Sequence, residues 1–184
     1  DQAGIFRWEE GATGRVMAAP YRTSGPSWAR DGRRIAVMSD RDDNWEIYTI
    51  AANGTDPRRV TDNPASDTWP VWSPDGEKIL FLSDRGGQED IYVMKADGTE
   101  VKALTNDRTW DGRAAWSPDG SRIAWASQRE GTSAVYVMDA EGKGSRRITP
   151  LAFGGEDPTW SPDGLRICFV GTEGGLRELH IVDA

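Results

Sequence analysis

The residues that could do covalent or acid–base chemistry in this chain are few and poorly spaced for it. There is one histidine, His180, and one cysteine, Cys168. Any Ser or Cys nucleophile would depend on that single imidazole as its base, and no Ser sits in a Gly-x-Ser-x-Gly elbow. Cys168 lies in the apolar run Ile167-Cys168-Phe169-Val170, which reads as inert core. A lone cysteine forms neither an intramolecular disulfide nor a cysteine-cluster metal site. Gly86-Gly87 and Gly174-Gly175 are loop tips without the spacing of a phosphate-binding loop. The acidic stretch Asp40 to Glu46 holds Asp42-Asp43-Asn44 but lacks the spaced ligands and terminal Glu of an EF-hand. The chain therefore reads as not an enzyme, with no cofactor and no metal. What remains is the chemistry of recognition, carried by carboxylates and by 9 tryptophans. Which of them are special depends on the elements that hold them.

Those elements repeat. Trp72-Ser73-Pro74-Asp75-Gly76 returns at Trp116-Ser117-Pro118-Asp119-Gly120 and Trp160-Ser161-Pro162-Asp163-Gly164, with a degraded copy at Trp28-Ala29-Arg30-Asp31-Gly32. The interval is 44 residues three times over, without insertion or deletion. Pro pre-sets the second position of a type I turn, Asp bonds its own backbone, and Gly accepts a positive φ. Each copy is thus a hairpin turn after a strand that ends in a large aromatic. One period holds four short strands: strand a near Trp72, then b (78–83), c (90–95) and d (100–105). Ile35, Ile79, Ile123 and Ile167 align, as do Tyr48, Tyr92 and Tyr136.

A four-stranded antiparallel unit with this period is the signature of a β-propeller blade. The near-continuous apolar runs agree, because a radial blade is packed on both faces. The fold class is all-β, a β-propeller of about four blades in a single module spanning 1–184. Residues 1–26 read as a partial blade with strands c (Ile5 to Trp8) and d (Arg15 to Met17) around a turn near Gly11 to Gly14. Full repeats follow at 27–70, 71–114 and 115–158, and 159–184 supplies strands a to c of a last blade. These ends suggest part of a longer ring or one completed by a second copy, with a closed four-bladed ring as the less favoured alternative.

Sorting the loops by face separates regular from irregular. The a–b and c–d turns emerge together and repeat. The b–c loops (39–46, 83–90, 127–134, 171–178) and d–a connections (18–26, 62–70, 106–113, 150–157) emerge on the other face. Those eight segments hold 16 acidic residues against 7 Arg, a balance of −9; the remainder holds 14 against 15, a balance of +1. The excess acid is either a solvated rim or a surface for a cationic partner. The net charge of −8 excludes a nucleic-acid backbone as partner, and no apolar run is long enough for membrane insertion.

On this irregular face lie Trp45, Trp69 and Trp110, which have no aromatic counterpart one period away. They are either caps over gaps in the core or anchors of a binding surface. Asp42, Asp67 and Asp111 accompany them. Asp67 and Asp111 align just before strand a, where hydrogen bonding to loop backbone competes with holding a cation in the channel. Arg41, Arg85 and Arg129 recur after strand b, and their expected partners are in the next blade.

The combination Pro70-Val71-Trp72-Ser73-Pro74-Asp75-Gly76, Ser83-Asp84-Arg85, Ile91-Tyr92-Val93-Met94, Asp97-Gly98 and Leu104-Thr105 resembles the TolB-like, WD-repeat-like propeller repeat. The last repeat departs from it, with Gly171-Thr172-Glu173 for Ser-Asp-Arg and His180 for Tyr. The resemblance implies a non-catalytic scaffold that binds a protein or peptide, and an extracytoplasmic location. It equally admits a substrate-gating propeller of a prolyl oligopeptidase-like or tricorn-like peptidase, or a self-assembling repeat scaffold. On the first reading, changing Trp69 and Trp110 to Ala removes binding with little loss of stability.

Overall fold

Each Trp-Ser-Pro-Asp-Gly turn closes with the same bonds. In the second full repeat the Gly76 N–H donates to the Ser73 carbonyl at 3.0 Å, the Glu77 N–H to the Asp75 carboxylate at 3.0 Å, and the Lys78 N–H to the Ser73 hydroxyl at 2.9 Å. Gly76 has φ +76°, which only glycine adopts without strain. The degraded copy keeps the backbone bond from Gly32 to Ala29 and the Asp31 bond to Arg33, without the hydroxyl. In the third repeat Asp119 is held to about 2, because it accepts from the Ser117 hydroxyl and from the backbone N–H of Ser121.

The protein is described by a computed structural model covering residues 6–9, 12–15, 20–150 and 154–184, with side chains excepted for 6–15 and Glu173. Seventeen strands occur in these residues. The first full blade is β3 (Thr23–Trp28), β4 (Arg34–Ser39), β5 (Glu46–Ala51) and β6 (Arg58–Arg59). The second is β7 (Asp67–Trp72), β8 (Lys78–Ser83), β9 (Asp90–Lys95) and β10 (Lys102–Ala103). The third is β11 (Asp111–Trp116), β12 (Arg122–Ser127), β13 (Ala134–Asp139) and β14 (Arg146–Arg147). Every sheet is antiparallel in sequence order, as hairpin closure requires.

The ends differ in detail from expectation. β1 (Phe6–Glu9) and β2 (Ala12–Arg15) pair as a two-stranded sheet, so Gly14 is in a strand rather than the turn; Ile5, Val16 and Met17 lie outside the described residues. The last sheet is β15 (Gly154–Trp160), β16 (Arg166–Glu173) and β17 (Leu176–Asp183). Here 171–178 is no b–c loop, because the two strands run on to a tight turn at Gly174 and Gly175, at φ +57° and +84°. The change from Ser-Asp-Arg to Gly171-Thr172-Glu173 permits this: a β-carbon on Gly171 would collide with the His180 ring, which stacks on Phe169.

The blades are bound by apolar faces that alternate along each strand. Ala36, Met38 and Ile47 of the first blade meet Ile79, Phe81, Tyr92 and Met94 of the second. Leu80, Leu82, Ile91 and Val93 then meet Ile123, Trp125, Tyr136 and Met138 of the third. Ala124, Val135 and Val137 meet Ile167 and Phe169 of the last. The motif tryptophans bolt the inner strands together: Trp116 and Trp160 donate from Nε1 to the carbonyls of Val71 and Ala115, at 3.4 and 3.1 Å. On the far side of the last blade Leu179 and Ile181 are 76% and 66% exposed, although their equivalents Ile91 and Val93 are buried. Cys168 is half-buried there rather than core, because it shares that open face with Ile181, its cross-strand partner.

Candidate functional site

The inner strands share a second device at the end opposite the turn. Each of β3, β7, β11 and β15 slips register against its neighbour, between Ser24 and Ser27, Thr68 and Val71, Asp111 and Ala114, and Glu156 and Thr159. These are β-bulges, which bend a strand and re-aim its side chains. The bulge puts one repeat position, Gly25, Trp69, Arg113 and Asp157, around one open depression at the ends of the inner strands, the mouth. Three of the four have positive φ: Gly25 at +60°, Trp69 at +50° and Asp157 at +49°. For Trp69 and Asp157 this is the strained left-handed region, which surrounding contacts must hold.

Those contacts run from blade to blade. A β-carbon on Gly25 would lie 3.4 Å from the Trp69 ring, so the indole rests on the first blade's backbone. The Arg113 guanidinium lies 3.5 Å from the centre of the Trp69 ring, a close cation–π contact, and its Nη1 is 3.5 Å from the Asp157 carboxylate. The four equivalent residues therefore touch in sequence around the mouth. The depression they surround is of about 570 Å³ and is lined also by Pro26, Pro70, Val71 and Pro158. A second, of about 250 Å³, shares Trp69, Arg113 and Asp157 and adds Trp110, Glu89 and Glu156. The first volume suits a ligand or a short run of peptide side chains.

The residues singled out in the sequence fall into three groups. Trp69 and Trp110 share the smaller depression, Trp110 being 37% exposed, lying over Gly112 and donating from Nε1 to Glu89 at 2.5 Å. Trp69 also packs against the cores on both sides of its blade, so its loss would cost stability as well as contact, contrary to the expectation for the double alanine change. Trp45 is partly buried against the first interblade core beneath the Arg22 guanidinium, 5.1 Å from its ring, and stays away from the mouth. Asp42 accepts from the Tyr48 hydroxyl and lies 3.5 Å from Arg59.

Asp67 and Asp111 do not lie on a surface. Both are fully buried at the first residue of an inner strand, and Arg85 pairs with Asp67 at 2.7 Å. The recurring arginines thus stay within their own blade: Arg85 stacks on Tyr92, and Arg129 on Tyr136. The b–c loop folds back over its own sheet, where a buried carboxylate and an aromatic face await the guanidinium. Four of the sixteen acids counted on this face, Glu46, Asp67, Asp90 and Asp111, are wholly buried. Among the described residues no group of three or more His, Cys, Asp or Glu side chains is placed to hold a metal ion.

Arg113, Asp157, Glu89 and Glu156 enter the sequence reading only in the charge count of the irregular face and are not singled out as site residues. A signal existed: the position at 25, 69, 113 and 157 holds four chemically unrelated residues inside an otherwise regular repeat.

The sequence matches the TolB beta propeller domain over residues 5–184. Among curated proteins none matches it. TolB from Acinetobacter baumannii superposes with a TM-score of 0.83 at 27% identity, over 94% of this chain and 43% of that one. The chain thus spans less than half the length of that structure. A putative TolB from Agrobacterium tumefaciens gives 0.76 at 21% identity, over 99% and 83%. A puromycin-hydrolyzing peptidase from Mycobacterium tuberculosis gives 0.77 at 14% identity, over 98% and 35%, a likeness of fold alone. No helix among the described residues is long and apolar enough to cross a membrane.

Proposed function

This chain belongs to the TolB beta propeller domain family, and on that premise we propose that it is a non-catalytic binding module whose recognition site is the mouth around Trp69, Trp110 and Arg113. The observation that carries the reading is the series of bulged residues, where two non-glycine backbones are held at positive φ to turn their side chains to the mouth. The Trp-Ser-Pro-Asp-Gly turns use glycine for the same torsion, whereas the turns after β5 and β9 place it on Asp56 and Glu100. Trp69 and Trp110 supply flat apolar area, and Glu89, Glu156 and Asp157 outnumber the one guanidinium beside them. That composition favours a protein or peptide with basic side chains, drawn in by charge and anchored by the indoles. The module works outside the cytoplasm, as the resemblance to TolB-like repeats implies.

Short synthetic peptides, one set rich in Arg and Pro and one rich in Glu and Pro, can be titrated while the indole N–H resonances of Trp69 and Trp110 are followed. The basic set should perturb both, and Trp110→Ala should abolish the binding with a small change in unfolding temperature. Equal binding by that variant, or a preference for the acidic set, would sink the proposal.

A further inference from the structure

The junctions between successive blades repeat one device, a threonine hydroxyl that accepts a backbone N–H from strand c. Thr61 takes it from Ile47 at 2.8 Å, Thr105 from Ile91 at 2.8 Å, and Thr149 from Val135 at 3.2 Å. The charges around the device differ. At the first junction Glu46 and Asp67 are fully buried, with Arg59 2.8 Å from Glu46 and Arg85 2.7 Å from Asp67. Asn63 links them, its backbone N–H donating to Glu46 at 3.0 Å and its amide to Asp67 at 2.7 Å. Two acids meet two guanidiniums. At the third junction the acid positions are Ala134 and Gly155, and the question does not arise.

The second junction keeps the acids and loses the compensation. Asp90 and Asp111 are fully buried, but Ala103 stands where Arg59 would be and Asp107 where Asn63 would be. Arg129 alone remains, 3.1 Å from Asp107 and 3.7 Å from Asp111. Asp90 accepts from the Thr105 hydroxyl at 3.3 Å and the Gln88 amide at 3.2 Å. Neither carboxylate oxygen of Asp111 receives a hydrogen bond of ordinary geometry. The two acids are neighbours, since the Asp111 N–H donates to the carbonyl of Glu89 at 3.0 Å. A buried carboxylate without its own counter-ion takes up a proton rather than keep its charge.

We propose that Asp90 and Asp111 hold a proton between them in the folded protein, which makes the seam between the second and third blades responsive to pH. Burial, then the charge of Asp111, pushes the Asp90 carboxyl up. Burial pushes Asp111 up too, against the pull of the Ser127 and Thr105 hydroxyls and Arg129, with Asp107 adding to the push. Tyr92 on the same strand as Asp90 is raised by its own burial and by the Asp90 charge, and supplies no positive charge to the seam. For a carboxyl raised on folding, the stabilisation is complete below the unfolded value of 3.8 and is lost as pH climbs through the folded value. The seam therefore tightens in acid and loosens as pH rises, the reverse of the turn aspartates Asp75 and Asp119, which are lowered. Glu89 and Trp110 directly precede the two acids and bond to each other, so the change registers at the mouth.

The test is a carboxyl carbon NMR titration of the whole chain, with Asp75 and Asp119 as internal references. Asp90 and Asp111 should titrate at clearly higher pH than the references, and the Trp110 indole N–H resonance should shift with the same midpoint. In Asp111→Asn the raised titration of Asp90 should move down, and the fall of unfolding temperature with rising pH should flatten; Asp90→Asn is the second variant should the first not fold. Titration of Asp90 and Asp111 together with the turn aspartates overturns the proposal, as does a Trp110 resonance indifferent to pH over that range. Neither readout requires a ligand, so the proposal stands or falls apart from the binding role of the mouth.

Discussion

At one end of each inner strand the turn repeats almost unchanged, while at the other a bulge repeats and its side chain goes from Gly25 to Trp69, Arg113 and Asp157. Both ends use positive φ. The turn spends it on Gly32, Gly76, Gly120 and Gly164, where it is free of strain, and the mouth imposes it on Trp69 and Asp157. A backbone device that recurs with one side chain closes hairpins. The bulge recurs with four different side chains that touch one another from blade to blade, so the repeat varies the chemistry of the mouth while its backbone stays the same.

The comparison makes the turn end the place where substitution costs most. Trp116 is buried in the core between the second and third blades and bolts its strand to Val71, so Trp116→Ala should lower unfolding free energy by about 3–5 kcal/mol in denaturant titration. A loss under about 1 kcal/mol would mean the motif aromatics do not hold the blades. Ser117 is fully buried, and its hydroxyl accepts the Arg122 N–H at 2.9 Å and bonds Asp119 at 2.5 Å. Ser117→Ala leaves that N–H unpaired and should cost about 1–3 kcal/mol by the same measurement. At the mouth the last blade's bulge residue, which is half-exposed, should respond least and in the opposite direction. Asp157→Gly relieves a left-handed aspartate while giving up a half-exposed ion pair to Arg113, so stability should hold or rise by about 1 kcal/mol. A clear loss of stability there would make the bulge residue structural and erase the contrast between the two ends.

The blade architecture was legible because the repeat reports it many times over. The 44-residue period, the alternating strands 78–83 and 90–95 and the turn residues agree with β8, β9 and their equivalents. The last blade was read less well, since Gly174-Gly175 makes a tight turn in a hairpin where the repeat elsewhere has a loop. Of the site, Trp69 and Trp110 stood out by lacking aromatic counterparts. Trp45 stood out for the same reason and packs on the core instead, because sequence registers an unusual side chain and not the surface it covers. Asp67 and Asp111 looked like surface acids for a related reason. Loop-like surroundings in sequence hid their burial under arginines from their own b–c loops.

By itself the sequence determined the strand order, the turn geometry and the membership of each apolar face, since these depend on residue type at short and periodic spacing. Tertiary structure decided which of the irregular residues meet. Trp69 reaches Arg113 and Asp157 only because successive blades place one repeat position side by side around the axis, and a bulge turns that position to the mouth. Likewise Asp90 and Asp111 are 21 positions apart in different blades, and only their burial in one seam leaves them with too little positive charge. Contacts between blades depend on curvature and register summed over whole sheets, which no local pattern of residues encodes.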